Sequence, residues 1–506
     1  MSNIITAKQA VLNIISQWLL QISNIVVTFF LIGYALAKVG EEHYGGWASI
    51  MSIIAYLAVL DAGMTIAIQH YVAALSAKGE RQKLTSLFSS AYIAYGIGAV
   101  AASLMCLVIS FWYHELFPKV SALIAAECTV TLRWVAAGVF LFVLNLPMQG
   151  ALVGLQRYYV RNTIELASLI VRVLTVVVLF NLFGFYLTYL GTAFFAATAT
   201  RFVLSSVALS FIEPDLRFRP SYIRTESLRE IFSFGGHSIF WAIATVLVRD
   251  SGPILGTILI GPTAATYLYV GTRLVASVGT FIYGAGDIFL PMASALKAAN
   301  DNVRLQAALV RGTRFCAALA FPAAAVLLTF GQVILKYWAK FDNNVAYYVV
   351  VATTIGMFGT WVFKVPLAVL AGTKVLRPVT YMWIIRVAFG VPLGVAMGYY
   401  FGAVGVAAGL LTPILVTSNT WVPYKACQST GITVGKLFHD TLIGPLVVGA
   451  IVAAGALMIQ IVWPAKSLWI LITECAVILM LFLALVVTVG LDAASRKLIL
   501  AKLSLR

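Results

Sequence analysis

The amino-acid sequence predicts an all-α polytopic membrane protein of about fourteen transmembrane helices, two parallel six-helix bundles followed by two extra C-terminal helices. Three observations predict it. Charged residues are 10% of the chain and hydrophobic residues 61%, with a mean hydropathy of +0.97, whereas about a quarter of a globular domain is charged. The apolar residues fall into runs of about 20, the length that crosses a bilayer as a helix. The ending of one run in the first half of the chain also recurs in the second half.

The same composition excludes other classes. Lys and Arg number 34 against 18 Asp and Glu, a formal charge of +16. In a soluble chain that excess suggests nucleic acid; here the gathering of Lys and Arg in cytoplasmic loops explains it, and no nucleic-acid partner is expected. Cys106, Cys128, Cys316, Cys427 and Cys475 sit mostly inside apolar runs without metal-ligand spacing, so neither a metal nor a cofactor is expected. Ala35-Leu36-Ala37 mimics a signal-peptide cleavage site. The run from about Val11 is too long for a signal peptide and carries Gln17, Gln21 and Asn24, so it is expected to be a retained first span.

Taken in order, the spans are expected at 10–37, 44–74, 85–113, 129–154, 162–184, 186–212, 231–259, 262–296, 308–335, 344–371, 378–400, 401–424, 440–463 and 467–491. Between the sixth and seventh lies the most densely charged break in the chain, with Arg217, Arg219, Arg224 and Arg229. It is expected to be a cytoplasmic linker and hinge over 213–230, joining a six-helix lobe at 1–212 to a second at 231–425. Residues 426–506 then hold the two additional helices and a tail. No stretch outside the spans is long enough for a soluble domain.

With the N-terminus in the cytoplasm, the inner loops collect Lys78, Arg81 and Lys83, Arg157 and Arg161, the linker arginines, Lys297, Arg304, Arg311 and Arg314, Lys374 and Arg377, Lys425 and Lys436, and the tail Arg496, Lys497, Lys502 and Arg506. The outer side keeps Lys38, Lys119, Lys336, Lys340 and Lys466. This asymmetry predicts both termini inside. The fourth span ends Pro147-Met148-Gln149-Gly150-Ala151-Leu152-Val153-Gly154, followed by Leu155-Gln156-Arg157; the tenth ends Pro366-Leu367-Ala368-Val369-Leu370-Ala371-Gly372, followed by Thr373-Lys374. An intramembrane arginine follows one span later in each half, Arg172 and Arg386. Six spans per half put both halves in the same orientation, a plan known among transporters that bind substrate near the midplane between halves.

Charge at membrane depth costs about 2.5–3.5 kcal/mol on insertion scales, so each such residue is a functional candidate. The cationic candidates are Arg172, Arg201, Arg249, Arg273, Lys364 and Arg386, with Arg133 nearer the outer face; the acidic ones, Asp61, Glu165, Asp250 and Asp287, are fewer. A cavity lined by the cationic set would suit phosphate and carboxylate, which a guanidinium grips two oxygens at a time. Structural pairing competes: Glu165 and Arg172 lie seven apart, on one helix face, and Arg249 adjoins Asp250. For Arg133 and Lys364, snorkelling to the headgroups competes. Asp61, Asp250 and His70 are candidates for coupling to a proton or sodium ion; His237 offers a similar reading, and a hydrogen-bonded interior role competes for both histidines. Gln17, Gln21 and Asn24 share one face of the first span, so Gln21 and Asn24 either line the cavity or bond between helices. Pro253, Pro291, Pro322, Pro366, Pro392 and Pro413 mark candidate kinks.

The fourth-span ending with Gly154-Leu155-Gln156-Arg157, its degenerate copy Ala371-Gly372-Thr373-Lys374, and the stretch Asp61-Ala62-Gly63-Met64-Thr65 through Tyr71-Val72-Ala73 to Ala77-Lys78-Gly79-Glu80 resemble the Wzx-type polysaccharide flippases. These belong to the multidrug/oligosaccharidyl-lipid/polysaccharide exporter superfamily, with the drug antiporters and lipid II flippases. Where the family usually has Gly-Leu-Gly in the second span, this chain has Leu60-Asp61-Ala62-Gly63. The resemblance implies a V-shaped, MATE-like pair of bundles in the bacterial cytoplasmic (inner) membrane. It implies transfer, by alternating access, of an undecaprenyl (isoprenoid) diphosphate-linked oligosaccharide, with membrane lipids and a polysaccharide polymerase or export machinery as partners. Two other classes stay open: a cation-coupled multidrug antiporter, against which a cationic cavity argues, and a polytopic glycosyltransferase or polymerase, for which the chain lacks a large aqueous loop and an Asp-x-Asp pair. No enzymatic step is expected.

Overall fold

The structure, a computed structural model, describes residues 7–485 apart from Ala62, Asp215 and Asp342. The basic tail at Arg496, Lys497, Lys502 and Arg506 and the end of the fourteenth span lie outside the described residues, as does the side chain of His237. Among the described residues every regular element is helical, the solution open to a backbone that must satisfy itself in lipid. By their internal contacts the elements form two compact units that divide between Thr266 and Tyr267.

In the first unit, span one is α1 (Ala7–Val39), and span two is broken into α2 (Glu41–Leu57), a 3-10 turn (Ala58–Asp61) and α3 (Met64–Lys78). Asp61 staples the break: its Oδ1 accepts from the backbone N–H of Thr65 at 3.1 Å, satisfying one of the free donors at the start of α3. Spans three to six are α4 (Arg81–Phe111), extended by the short α5 (Tyr113–Leu116), then α6 (Ala122–Gly154), α7 (Tyr158–Phe183) and α8 (Thr188–Ile212). Span seven is α9 (Thr225–Arg249) with α10 (Gly252–Leu259), bent by 47°. At the centre stands α6, packed on α3, α4 and α8. Its approach to α3 depends on the last glycine of the Pro147–Gly154 ending: a Cβ on Gly154 would lie 2.8 Å from the Gln69 carbonyl oxygen and from the Val72 Cβ.

The linker and span seven pack within this unit. Ser89 accepts from the backbone N–H of Arg219 at 3.1 Å, and Ser90 accepts from that of Arg224 at 3.0 Å. The hydroxyls of Ser86 and Ser227 meet at 3.3 Å, those of Ser49 and Thr257 at 2.5 Å, and those of Tyr56 and Ser251 also meet. The sequence led us to expect a division at 213–230, with 231–259 opening the second lobe. By contact the division instead falls after span seven, because hydroxyls on α2 and α4 hold the linker, α9 and α10 to the first unit.

The second unit takes up α11 (Pro262–Asp287) just past its start and continues with α12 (Phe289–Ala298), α13 (Asn302–Trp338), α14 (Val345–Val362) and α15 (Lys364–Gly372), spans eight to ten. The 41 residues of α16 (Leu376–Val416) hold two spans. Gly402 has φ 61°, a left-handed value that suits glycine, and reverses the chain. Beyond it the arms run side by side, so close that a Cβ on Gly409 would lie 2.4 Å from the carbonyl oxygen of Leu393. The second arm continues through a π-helical turn (Thr417–Trp421) into α17 (Val422–Thr430). Spans thirteen and fourteen, α18 (Val434–Val462) and α19 (Leu468–Leu485), share a core with α13 that includes Ala318, Phe330, Val448, Val452, Leu471 and Ile478. Ten helices among the described residues are long and apolar enough to cross a membrane, and the bent α9–α10 pair makes an eleventh. The broken span two, the second arm of α16 and α19 account for the rest of the predicted set.

The repeat is written in the turns. Gln156 and Lys374 both have left-handed φ, 60° and 58°. Around them the same three bonds recur: Leu155 to Ala151, Gln156 to Val153 and Arg157 to Leu152, against Thr373 to Val369, Lys374 to Ala371 and Val375 to Leu370. Likewise Glu80 bonds back to Leu75 and Asp301 to Leu296, after Gly79 at φ 71° and Asn300 at φ 54°.

Candidate functional site

Four walls of the first unit line a partly open cavity of about 390 Å³. Helical spacing builds each wall: Asp61, Thr65 and Gln69 come from the break and α3, Phe142, Asn145, Leu146, Gln149 and Val153 from α6, Tyr158, Arg161 and Glu165 from α7, and Arg201 from α8. The Arg201 guanidinium forms an ion pair with Glu165 at 2.6 Å, donates to Ser168 at 3.3 Å, and lies 5.9 Å from the Phe142 ring centre. Arg161 donates to Gln149 Oε1 at 3.2 Å, and the Gln149 amide donates to buried Ser205 at 2.9 Å. On the facing wall Asp61 Oδ1 accepts from the hydroxyls of Thr65 and Tyr95, each at 2.5 Å. Two buried atoms of the lining, Asn145 Oδ1 and Arg201 Nε, have no hydrogen-bond partner among the described residues.

Of the sequence-predicted residues, Asp61, Glu165 and Arg201 line this cavity together. Arg172 stands half-buried further along α7, and Glu165 pairs with Arg201 on the neighbouring helix. Arg249 is exposed and pairs with buried Asp250 at 3.0 Å. His70 is exposed, its ring edge-on to Tyr71. On α1, Gln21 is half-buried and Asn24 is exposed, its amide donating to the Leu20 carbonyl at 3.1 Å, while Gln17 accepts from Asn162 at 3.3 Å. Neither Gln21 nor Asn24 is in the lining.

In the second unit the candidates stand on three helices, α11, α15 and α16. Arg273 lies over the Tyr269 ring at 5.0 Å. Lys364 pairs with Asp287 at 2.6 Å and lies 5.5 Å from the Tyr283 ring. Arg386 is only 4% exposed and donates to Thr417 at 2.8 Å and Ser418 at 2.7 Å, both at the start of the π-helical turn, with Trp383 at 5.0 Å. Sequence reasoning missed Arg161, which it placed in a cytoplasmic loop, and Asn145, Gln149 and Tyr95. The available signal was spacing, since Arg161 precedes Glu165 by one turn and Asn145 precedes Gln149 by one turn. Among the described residues no three His, Cys, Asp or Glu side chains cluster as metal ligands would.

Comparison with known proteins places this cavity in context. The family profile described as "polysaccharide biosynthesis protein" matches residues 39–338, which includes every lining residue of the cavity. The uncharacterized membrane protein EpsK of Bacillus subtilis (strain 168) is 22% identical over 304 residues, 57% of this chain and 59% of that one, so the match spans less than two thirds of that relative. The solved structure of the lipid II flippase MurJ in an inward closed conformation matches with a TM-score of 0.69 at 13% identity, covering 94% of this chain and 98% of that one. An inward-facing multidrug resistance MATE family transporter of the MOP superfamily matches with a TM-score of 0.68 at 13% identity, covering 81% and 95%. At such identity the likeness speaks for the fold. With the family profile covering more than half its length, the chain belongs to the polysaccharide biosynthesis protein family, and it shares the fold of the MurJ and MATE structures.

Proposed function

We propose that the chain is a flippase that carries an isoprenoid (undecaprenyl) diphosphate-linked oligosaccharide across the bacterial cytoplasmic membrane for cell-surface polysaccharide synthesis. It does so by alternating access of two six-helix halves, with both termini in the cytoplasm and no covalent chemistry. The observation that carries this reading is the enclosure of Asp61, Arg161, Glu165 and Arg201 around one cavity in a membrane-spanning bundle of a polysaccharide biosynthesis protein. Ionisable groups are expensive in lipid and persist where they line a polar path. In the other unit Arg386 supplies a buried guanidinium that donates to the hydroxyls of Thr417 and Ser418. The isoprenoid tail would stay in lipid while the head group crosses.

The test is a proteoliposome assay with a fluorescent isoprenoid-diphosphate oligosaccharide. Wild type is expected to move the lipid between leaflets, and Arg201→Ala and Arg386→Ala, at equal folded yield, to slow it by at least about tenfold. A cation-coupled antiporter is the second reading, favoured by the Asp61 carboxylate beside the Tyr95 hydroxyl. It takes over if wild type leaves the lipid unmoved while a pH or sodium gradient drives uptake of small organic cations.

A further inference from the structure

Resting on the flippase reading, we infer that the cavity of the first unit is a subsite for an uncharged saccharide and discriminates against uronic acids and against the diphosphate itself. The charges around it balance, Asp61 and Glu165 against Arg161 and Arg201. One guanidinium and one carboxylate already neutralise each other, because Arg201 sits 2.6 Å from Glu165. An entering anion is left with Asp61 against Arg161, so the cavity offers negative charge no net attraction, and an uncharged polar molecule meets no electrostatic cost.

The two unpartnered atoms point the same way. Asn145 Oδ1, on a side chain only 2% exposed, can be satisfied only by a donor, and Arg201 Nε only by an acceptor. Carboxylate and phosphate oxygens offer acceptors alone. A sugar hydroxyl offers both, and leaving a buried polar atom unmet is unfavourable. The Tyr158 ring in the lining gives the apolar face of a pyranose a surface to lie on. The volume, about 390 Å³, falls near the lower end of small-molecule sites, about 300–1,000 Å³. It admits a short saccharide and leaves the diphosphate and lipid outside.

The test is calorimetric titration of the full-length protein in a detergent without a sugar head group. The probes are the neutral disaccharide of N-acetylglucosamine, a glucuronate-containing disaccharide, and inorganic diphosphate. The neutral disaccharide is expected to bind at least about tenfold more tightly than either anion. Asn145→Leu should weaken it by about tenfold. Glu165→Gln, which leaves one carboxylate against two guanidiniums, should shift the preference toward glucuronate by at least about tenfold. Asp61→Asn makes the same change of net charge outside the ion pair, should Glu165→Gln fail to fold. Preference of wild type for either anion, no binding of the neutral probe at millimolar concentration, or unchanged affinity in Asn145→Leu would each overturn the inference. Because the probes carry no lipid, the two ideas fail separately. Flipping without this selectivity sinks the subsite alone, and saccharide binding without flipping sinks the flippase.

Discussion

Glu165 and Arg201 show what a single residue pair does at membrane depth. Their side chains are 17% and 19% exposed, and they meet at 2.6 Å across α7 and α8. Removing one partner of a buried pair leaves the other charge without compensation, at a cost of about 3–5 kcal/mol when burial is complete. With some access remaining, Glu165→Ala should lose about 2 kcal/mol, read as a lowered thermal midpoint in detergent. Replacing both, as Glu165→Leu with Arg201→Met, should recover most of that loss, since two matched apolar groups no longer need each other. A double variant no more stable than the single one would show that the loss comes from the missing pair itself and not from a charge left without compensation. Each of these residues was visible in the sequence as an intramembrane charge, but its partner was not. The i,i+7 spacing of Glu165 and Arg172 describes one helix, whereas the ion pair is made across two. Arg386 illustrates the same limit: its position was legible, while its acceptors, Thr417 and Ser418, lie more than a full span away in sequence.

At the scale of elements, hydroxyl groups decide where the linker belongs. Charge density predicts an extramembrane break over 213–230, and the long helices are interrupted between Ile212 and Thr225. Its docking was not legible, because Ser86, Ser89 and Ser90 read as ordinary small residues at the start of a long apolar helix. In the structure they form a ladder on α4 that meets the linker backbone at Arg219 and Arg224 and the side chain of Ser227. A linker so held is expected to travel with the first unit in the proposed transport cycle. Ser86 and Ser227, whose hydroxyls are 3.3 Å apart, can be replaced by cysteines with little change of volume. The native Cys106, Cys128, Cys316 and Cys427 are buried, and Cys475, half-buried on α19, is replaced by serine in the test background. Oxidation of Ser86→Cys with Ser227→Cys should form a cross-link and leave the flipping rate within about twofold of the reduced form. Loss of transport on oxidation, restored by reductant, would mean that the linker undocks in each cycle. Gly402 is the opposite case of legibility. A lone glycine among apolar residues carries no strong signal, yet the expected boundary between spans eleven and twelve, 400 against 401, falls beside it. There the run length alone exceeded what one bilayer crossing needs.

For the whole molecule, orientation follows from where the cations lie, and it can be tested without knowing the substrate. Lys38, Lys119 and Lys336 are exposed at the ends of helices on one predicted side, and Lys78 and Lys374 on the other. The parity of the helices fixes this grouping: α2 to α3 separates Lys38 from Lys78, α4 separates Lys78 from Lys119, and α14 to α15 separates Lys336 from Lys374. The apolar spans are legible because lipid imposes one dominant constraint, apolar length, that composition reports directly. Which helices pack into which unit is not, because a lipid-facing and a helix-facing leucine look alike in sequence. The sign of the topology rests on the excess of Lys and Arg in alternate loops, an effect of insertion rather than of folding. Single cysteines at these five positions should therefore sort cleanly in intact cells with a membrane-impermeant maleimide. Lys38→Cys, Lys119→Cys and Lys336→Cys are expected to react, and Lys78→Cys and Lys374→Cys only after the membrane is opened. The reverse pattern would invert the molecule and, with it, the proposed direction of entry for the head group. A mixed pattern would instead break the parity of the helices, and the count of crossings through span two or span ten would have to change.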